Sequence, residues 1–428
     1  MMSRVYLFFV LLYMYGCEAW QLRQIATVDI PYAAMSAVLV DPSTGLYDVV
    51  VSSFSSTPFS TDYVYVIRDV AGQIQAGNGL MTEVLTDELK WPNEVGKVPE
   101  KVLGRDDIWW GTSGFLVPTK THGVIALIDA GIMVPATTYD ISSRLLDPTD
   151  WFYHRVEWAD MNKDGRIDAV TSRAYLDSNG QAVAEMVWFE QPRFGNPLYG
   201  TWSEHVMYPG PDALTRFGRL TVSDGRELEV IISAQYFTEK LVVSWVEGPT
   251  SSWDDPSSIQ HRVISDVVNE RYFDIQLVDL NIDGNVDLLV SVNSNQNGKL
   301  LAYEIPRDFR TGAWRRHLIV EGFIPNVDVI TEGHGSPGSA FAFYPGPPGQ
   351  RIKPLILLTG DDDSNVYILE STIDNDPSVW SYTMTSVFYA EGTVGSPAIQ
   401  DIDGDGFPEL FIPAWTQGTL SVYTFKDI

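Results

Sequence analysis

Cysteine is almost absent: 428 residues hold one, Cys17, inside the N-terminal leader-like stretch. Residues 20–428 therefore contain no disulfide and offer no thiol chemistry. Basic residues are also scarce, with 28 Lys and Arg against 56 Asp and Glu and a formal net charge of −28. Nucleic acid and anionic membrane surfaces recruit basic patches, so neither is an expected partner. No Asn-X-Ser/Thr sequon occurs, which argues against N-glycosylation. Past the N-terminus no apolar run is long enough to cross a bilayer, so no membrane span is expected. GxSxG, HExxH and Walker patterns are missing too, which removes the best-defined hydrolase and nucleotide signatures.

The N-terminus itself reads as a secretory signal. Arg4 gives a positive start, Val5 to Tyr15 is apolar, and Gly16-Cys17-Glu18-Ala19 supplies small residues for cleavage. The expected organisation is a signal peptide over 1–19 and one secreted, extracellular domain over 20–428. Hydrophobic content of 45% is enough for a real core. The acidity suits a protein that holds divalent cations, and it also keeps an extracellular chain soluble.

The most regular stretch runs from Asp279 to Asp287 (DLNIDGNVD), with oxygen-bearing side chains at 279, 281, 283 and 287 and Gly284 at the sharp turn. An apolar run, Leu288 to Val292, follows directly. The pattern returns at Asp160, Asn162, Asp164 and Asp168, and again at Asp401, Asp403, Asp405 and Glu409. Hard oxygens alternating on a tight loop suit Ca²⁺, which takes six to eight of them in flexible geometry. An EF-hand would need Glu at position 12 between helices, but that position holds Thr171, Val290 and Ile412 in β-rich surroundings.

A longer beat underlies these loops. Glu190, Glu247 and Glu304 end strand-like runs 57 residues apart, and His205, His261 and His317 lie 56 apart. A period of roughly 57 residues with four short strands fits a propeller blade, and residues 20–428 then make about seven blades. The expected fold is an all-β seven-bladed β-propeller. The C-terminus stops one strand short, and the Trp20–Val28 stretch parallels an outer strand, so the N-terminal strand should close the last blade. Residues 70–108 are expected as an insertion, and Gly114 to Pro118 as a strand of an irregular second blade. The Asp361-Asp362-Asp363 run is expected to be a solvated turn.

The three Asp loops and the strands they feed resemble the FG-GAP/VCBS repeat family, which includes the integrin α-subunit propeller. Phe217-Gly218 and the Gly-Ser-Pro runs at Gly335 and Gly395 fit the first strand of such repeats. The resemblance implies Ca²⁺ in each complete loop. It adds the backbone carbonyls of Arg166, Asn285 and Phe407 to the side chains of Asp160, Asn162, Asp164, Asp168, Asp279, Asn281, Asp283, Asp287, Asp401, Asp403, Asp405 and Glu409. Three such ions would be structural.

The function expected is an extracellular module that binds a carbohydrate or protein ligand. Two alternatives stand beside it: a carbohydrate-active enzyme of lyase or dehydratase type using the central channel, and an acidic matrix or mineral-associated protein. No catalytic residue is assigned. Of the six histidines, only His154 and His334 fall off the blade beat at positions worth inspecting for chemistry. Trp109-Trp110 and Trp151 to Tyr153 are aromatic clusters suited either to sugar stacking or to the core.

Overall fold

The computed structural model describes residues 20–41, 43–131, 134–142, 150–248, 252–327, 333–347 and 352–426. The expected signal peptide lies outside them. Their strands form seven antiparallel sheets in a β-propeller. Each blade has an inner, second, third and outer strand.

Blade 1 contains Ala33–Val40, Tyr47–Ser53, Tyr63–Ile67 and Glu83–Thr86, and blade 2 contains Pro92–Lys97, Ile108–Ser113, Ile125–Asp129 and Thr138–Asp140. In blade 3 the inner strand is split into Phe152–Tyr153 and Glu157–Ala159, followed by Asp168–Leu176, Ala182–Glu190 and Ser203–Pro209. Blade 4 has Leu214–Thr221, Glu227–Gln235, Lys240–Trp245 and Gln260–Ser265, and blade 5 has Arg271–Val278, Asp287–Asn293, Gly298–Glu304 and Arg315–Phe323. Blade 6 has Ala340–Phe343, Leu355–Thr359, Asn365–Ser371 and Tyr382–Tyr389. Blade 7 is built from Ala398–Gln400, Glu409–Ala414, Thr419–Thr424 and, as expected, the N-terminal Arg23–Asp29. That strand runs antiparallel to the third strand, with Arg23 opposite Thr424 and Asp29 opposite Thr419. Ring closure leaves blade 7 with no unfinished edge.

Burial explains the strand composition. Second strands are sandwiched between neighbouring blades, so they read as continuous apolar runs; every residue of Asp287–Asn293 is buried. Leu289, Leu300 and Ala302 of blade 5 pack on Ile356 and Leu358 of blade 6. Outer strands are far more exposed; in Arg315–Phe323 only Ile319, which is in the strand's middle, and Phe323 are buried. The beat histidines lie on outer strands, where His205 stacks on Trp188 at 4.1 Å and His317 on Trp380 at 4.1 Å. They are packing residues of the repeat.

Three expectations are corrected. The 70–108 stretch is not an insertion. After a short helix, Val70–Ala76, it supplies the outer strand of blade 1 and the inner strand of blade 2. The four-residue outer strand is too short to show a period, and Pro92 opens its strand at a position where no N–H is needed. Gly114 to Pro118 is no strand: the second strand of blade 2 is Ile108–Ser113, which ends where Gly114 adopts φ 91°. Asp361–Asp363 is no solvated turn but a single 3₁₀ turn in which Asp362 and Asp363 are buried.

Candidate functional site

The antiparallel order gives the propeller two distinct faces. Loops joining inner to second strands lie on one; loops joining second to third strands, with the crossings between blades, lie on the other. The three Asp loops are on the first face. The central cavity opens among the connections of the second.

Each Asp loop closes through the same four backbone bonds. In the Asp279–Asp287 loop, Gly284 N–H donates to Asp279 Oδ2 (3.0 Å), Asp283 N–H to Asn281 Oδ1 (3.0 Å), Asn285 N–H to Asp283 Oδ1 (2.8 Å) and Leu280 N–H to Asp287 Oδ2 (3.0 Å). Asp160–Asp168 repeats these bonds at 2.9, 3.1, 2.9 and 3.0 Å, and Asp401–Glu409 at 2.9, 3.2, 2.8 and 3.1 Å. The turn needs a left-handed residue at its glycine, and Gly165, Gly284 and Gly406 all have positive φ (91°, 85° and 91°).

The oxygens left over suit a hard cation. Asp279 Oδ1 is buried with no hydrogen-bond partner. Carboxylate oxygens of Asp401, Asp403 and Asp405 lie within 4.8 Å of one another. Burial first, then the neighbouring loop carboxylates, push Asp168 up to about 6 and Asp287 and Glu409 up to about 7. Clustered anions need a counter-charge, and two loops carry part of one themselves. Arg166 pairs with Asp164, and Lys426 Nζ lies 2.7 Å from Asp405 Oδ2. Among the described residues, no ion pair reaches the Asp279–Asp287 loop. The carbonyls of Arg166, Asn285 and Phe407 belong to the same turns. In blade 1, which lacks the motif, the Arg68 guanidinium sits 2.6 Å from Asp48, at the start of the second strand.

The cavity on the axis has a volume of about 420 Å³ and draws its wall from all seven blades. Phe54, Trp91 and Phe115 form a stack, with centroids 4.1 and 5.1 Å apart. Trp91 is sandwiched, so neither of its faces is free. The stack rests on a buried ion pair: Lys120 Nζ meets Asp62 Oδ1 at 2.6 Å and the Ser55 carbonyl at 2.7 Å, while Asp62 Oδ2 accepts from Trp91 N–H at 2.8 Å. Trp415 Nε1 donates to the Phe54 carbonyl at 2.8 Å. Phe115, Phe237, Phe273 and Trp415 offer half-buried rings to the cavity.

Acceptors accompany the rings. Asn93, 1% exposed, spends its Nδ2 on the Gly114 and Tyr153 carbonyls at 3.1 and 2.7 Å, and its Oδ1 has no partner. Arg155, between the two pieces of the blade 3 inner strand, binds Glu94 Oε2 (2.7 Å) and Asp274 Oδ1 (3.0 Å). Burial alone would raise the Asp274 carboxyl, but Arg155 and Arg216 hold it below its ordinary value. Burial, reinforced by Arg155, drives His154 down to about 4, so its ring is neutral near pH 7. Asp361 stands at φ 57°, and burial, then Asp362 and Asp363, push its carboxyl well above the carboxylate range.

His154 and His334, the two histidines off the beat, both line this cavity. Trp109 and Trp110 do not; they are buried in the second strand of blade 2, and Trp151 to Tyr153 are buried as well. Both clusters belong to the core. Sequence reasoning missed Asp361, Asn93 and the Phe54–Trp91–Phe115 stack. Their one signal was position, each next to a strand end on the cavity face.

No helix among the described residues is long and apolar enough to cross a membrane. No protein-family model matches the chain, and no curated sequence does. Solved structures match in fold. The Dos1 propeller is 8% identical, covering 94% of this chain and 96% of that one at a TM-score of 0.47. A Hadza microbial sialidase is 13% identical over 92% of this chain and 66% of its own, with a TM-score of 0.40. An α-L-arabinofuranosidase from Fusarium graminearum is 13% identical over 78% and 92%, with a TM-score of 0.42.

Proposed function

We propose that this chain is a secreted, calcium-stabilised propeller of the FG-GAP/VCBS type whose central cavity binds a carbohydrate. The observation that carries the ligand class is the cavity wall itself: half-buried aromatic rings beside side-chain acceptors, one of which, Asn93 Oδ1, has no partner in the chain. A sugar ring presents apolar C–H faces to aromatic rings and hydroxyl donors to such acceptors. The cavity also lies in the size range of small-ligand sites, roughly 300–1,000 Å³.

Calcium has a separate role in this reading. The Asp loops sit on the opposite face from the cavity, so the ions would hold turns and not touch ligand. Asp160, Asn162, Asp164 and Asp168, their counterparts in the other two loops, and the carbonyls of Arg166, Asn285 and Phe407 would hold them. Neutralising clustered carboxylates turns binding free energy into folding free energy.

Glycan-array binding of the secreted protein, with Asn93→Ala and Trp415→Ala as comparisons, tests the ligand class. Binding in the micromolar to millimolar range, weakened tenfold or more by either substitution, is the expected result. An array with no bound glycan would overturn it.

A further inference from the structure

We propose that the carbohydrate taken by the central cavity carries a protonated amine, and that its ammonium group pairs with Asp361. This rests on the carbohydrate reading and narrows it. The carboxyl groups in the cavity wall belong to Glu94, Asp212, Asp361 and Asp362, and among the described lining residues there is no lysine or arginine. The described wall therefore offers an anionic ligand no lysine or arginine partner.

Three of the four carboxylates are satisfied by the chain. Glu94 has Arg155 at 2.7 Å. Asp212 accepts from the N–H groups of Tyr236 and Phe237 at 2.6 and 2.9 Å. Asp362 accepts from Gly335 N–H at 3.0 Å and from Thr393 Oγ1 at 2.6 Å. Asp361 has one long contact, from Asn293 Nδ2 at 3.4 Å. It also sits beside two further carboxyls, Asp362 and Asp363.

Its placement is nonetheless fixed. Asp361 is held in the left-handed region, φ 57°, with its carbonyl accepting from Val394 N–H at 3.0 Å and Ser364 N–H at 3.3 Å. An ammonium group would supply the missing positive charge and up to three donors. The half-buried rings of the same cavity add cation–π attraction, worth more where water is excluded. The raised Asp361 carboxyl agrees with a group lacking its counter-cation.

Calorimetric titration of the full secreted protein at physiological salt tests this with three matched series: glucosamine oligomers, their N-acetylated counterparts and neutral gluco-oligomers. The amine series should bind at least tenfold tighter than either other series. Asp361→Asn, nearly isosteric and tolerant of the same φ, should bring the amine series down to the affinity of the neutral series, in a protein that melts no lower than the parent. Because the whole chain is acidic, Asp177→Asn on an exposed turn of blade 3 serves as the control and should preserve the preference. Equal binding of all three series, or a preference that survives Asp361→Asn, overturns the amine assignment while the carbohydrate reading stands. Binding of none of them overturns the amine assignment and counts against the carbohydrate reading as well.

Discussion

His154 shows how one residue ties cavity to stability. Its ring packs edge-on against both Phe115 and Phe152, and Thr112 Oγ1 donates to its backbone carbonyl at 2.7 Å. With a folded value near 4 against the ordinary 6.5, the unfolded chain binds a proton at this site that the folded chain refuses between those values. The stabilisation is therefore complete above about pH 6.5 and is lost as pH falls towards 4, by on the order of 2–3 kcal/mol. His154→Gln removes the titrating group and keeps a polar side chain. Urea denaturation at pH 7 and pH 5 should show the wild type losing more stability on acidification than the variant. Equal losses would place the acid sensitivity elsewhere. From sequence, His154 stood out only by missing the 56-residue beat; its packing was not legible, because Phe115 reaches its ring from blade 2, about forty positions away in the chain.

At the scale of elements, the Asp loops were the legible part. Each oxygen ladder lies within nine consecutive residues, so spacing alone defined blades 3, 5 and 7. Blades 1 and 2 were not legible at their junction, since Glu83–Thr86 and Pro92–Lys97 are short and carry no repeat signal. One side-chain counter-charge, Arg166, lay in plain view inside its own loop, and the other was hidden, because Lys426 approaches Asp405 from beyond the third strand of blade 7. They make the three loops unequal. Among the described residues the Asp279–Asp287 loop has no ion pair, whereas Arg166 and Lys426 partly neutralise the other two. In calcium titrations of EDTA-treated protein, Asp283→Ala should abolish the tightest binding step. Asp164→Ala and Asp405→Ala should affect weaker steps, and Arg166→Gln should tighten the first loop. Saturation at one hundred times Kd would add about 2.7 kcal/mol per site. A melting temperature indifferent to EDTA would remove the calcium role altogether.

Over the whole molecule, ring closure ties the first described strand to the last without a disulfide. The period gave the blade number and the closing strand in advance, because both follow from local strand patterns. It gave little of the cavity, whose wall is assembled from residues as distant as Phe54 and Trp415. Closure makes a strong prediction about connectivity. Arg23 lies opposite Thr424, so the first and last described strands bring their ends together. A chain permuted to start at Gly180, in the exposed Asp177–Gln181 turn, and joined from Lys426 to Trp20 by a short linker keeps every strand pairing. It should fold to a monomer melting within a few degrees of the parent. Removing residues 20–29 instead leaves Thr419–Thr424 as an unpaired edge of apolar, β-prone sequence. That protein should aggregate or dimerise on gel filtration and lose protection of the blade 7 amides in hydrogen exchange. If it stays monomeric with blade 7 protected, stacking between blades, and not the seventh blade's fourth strand, holds the ring shut.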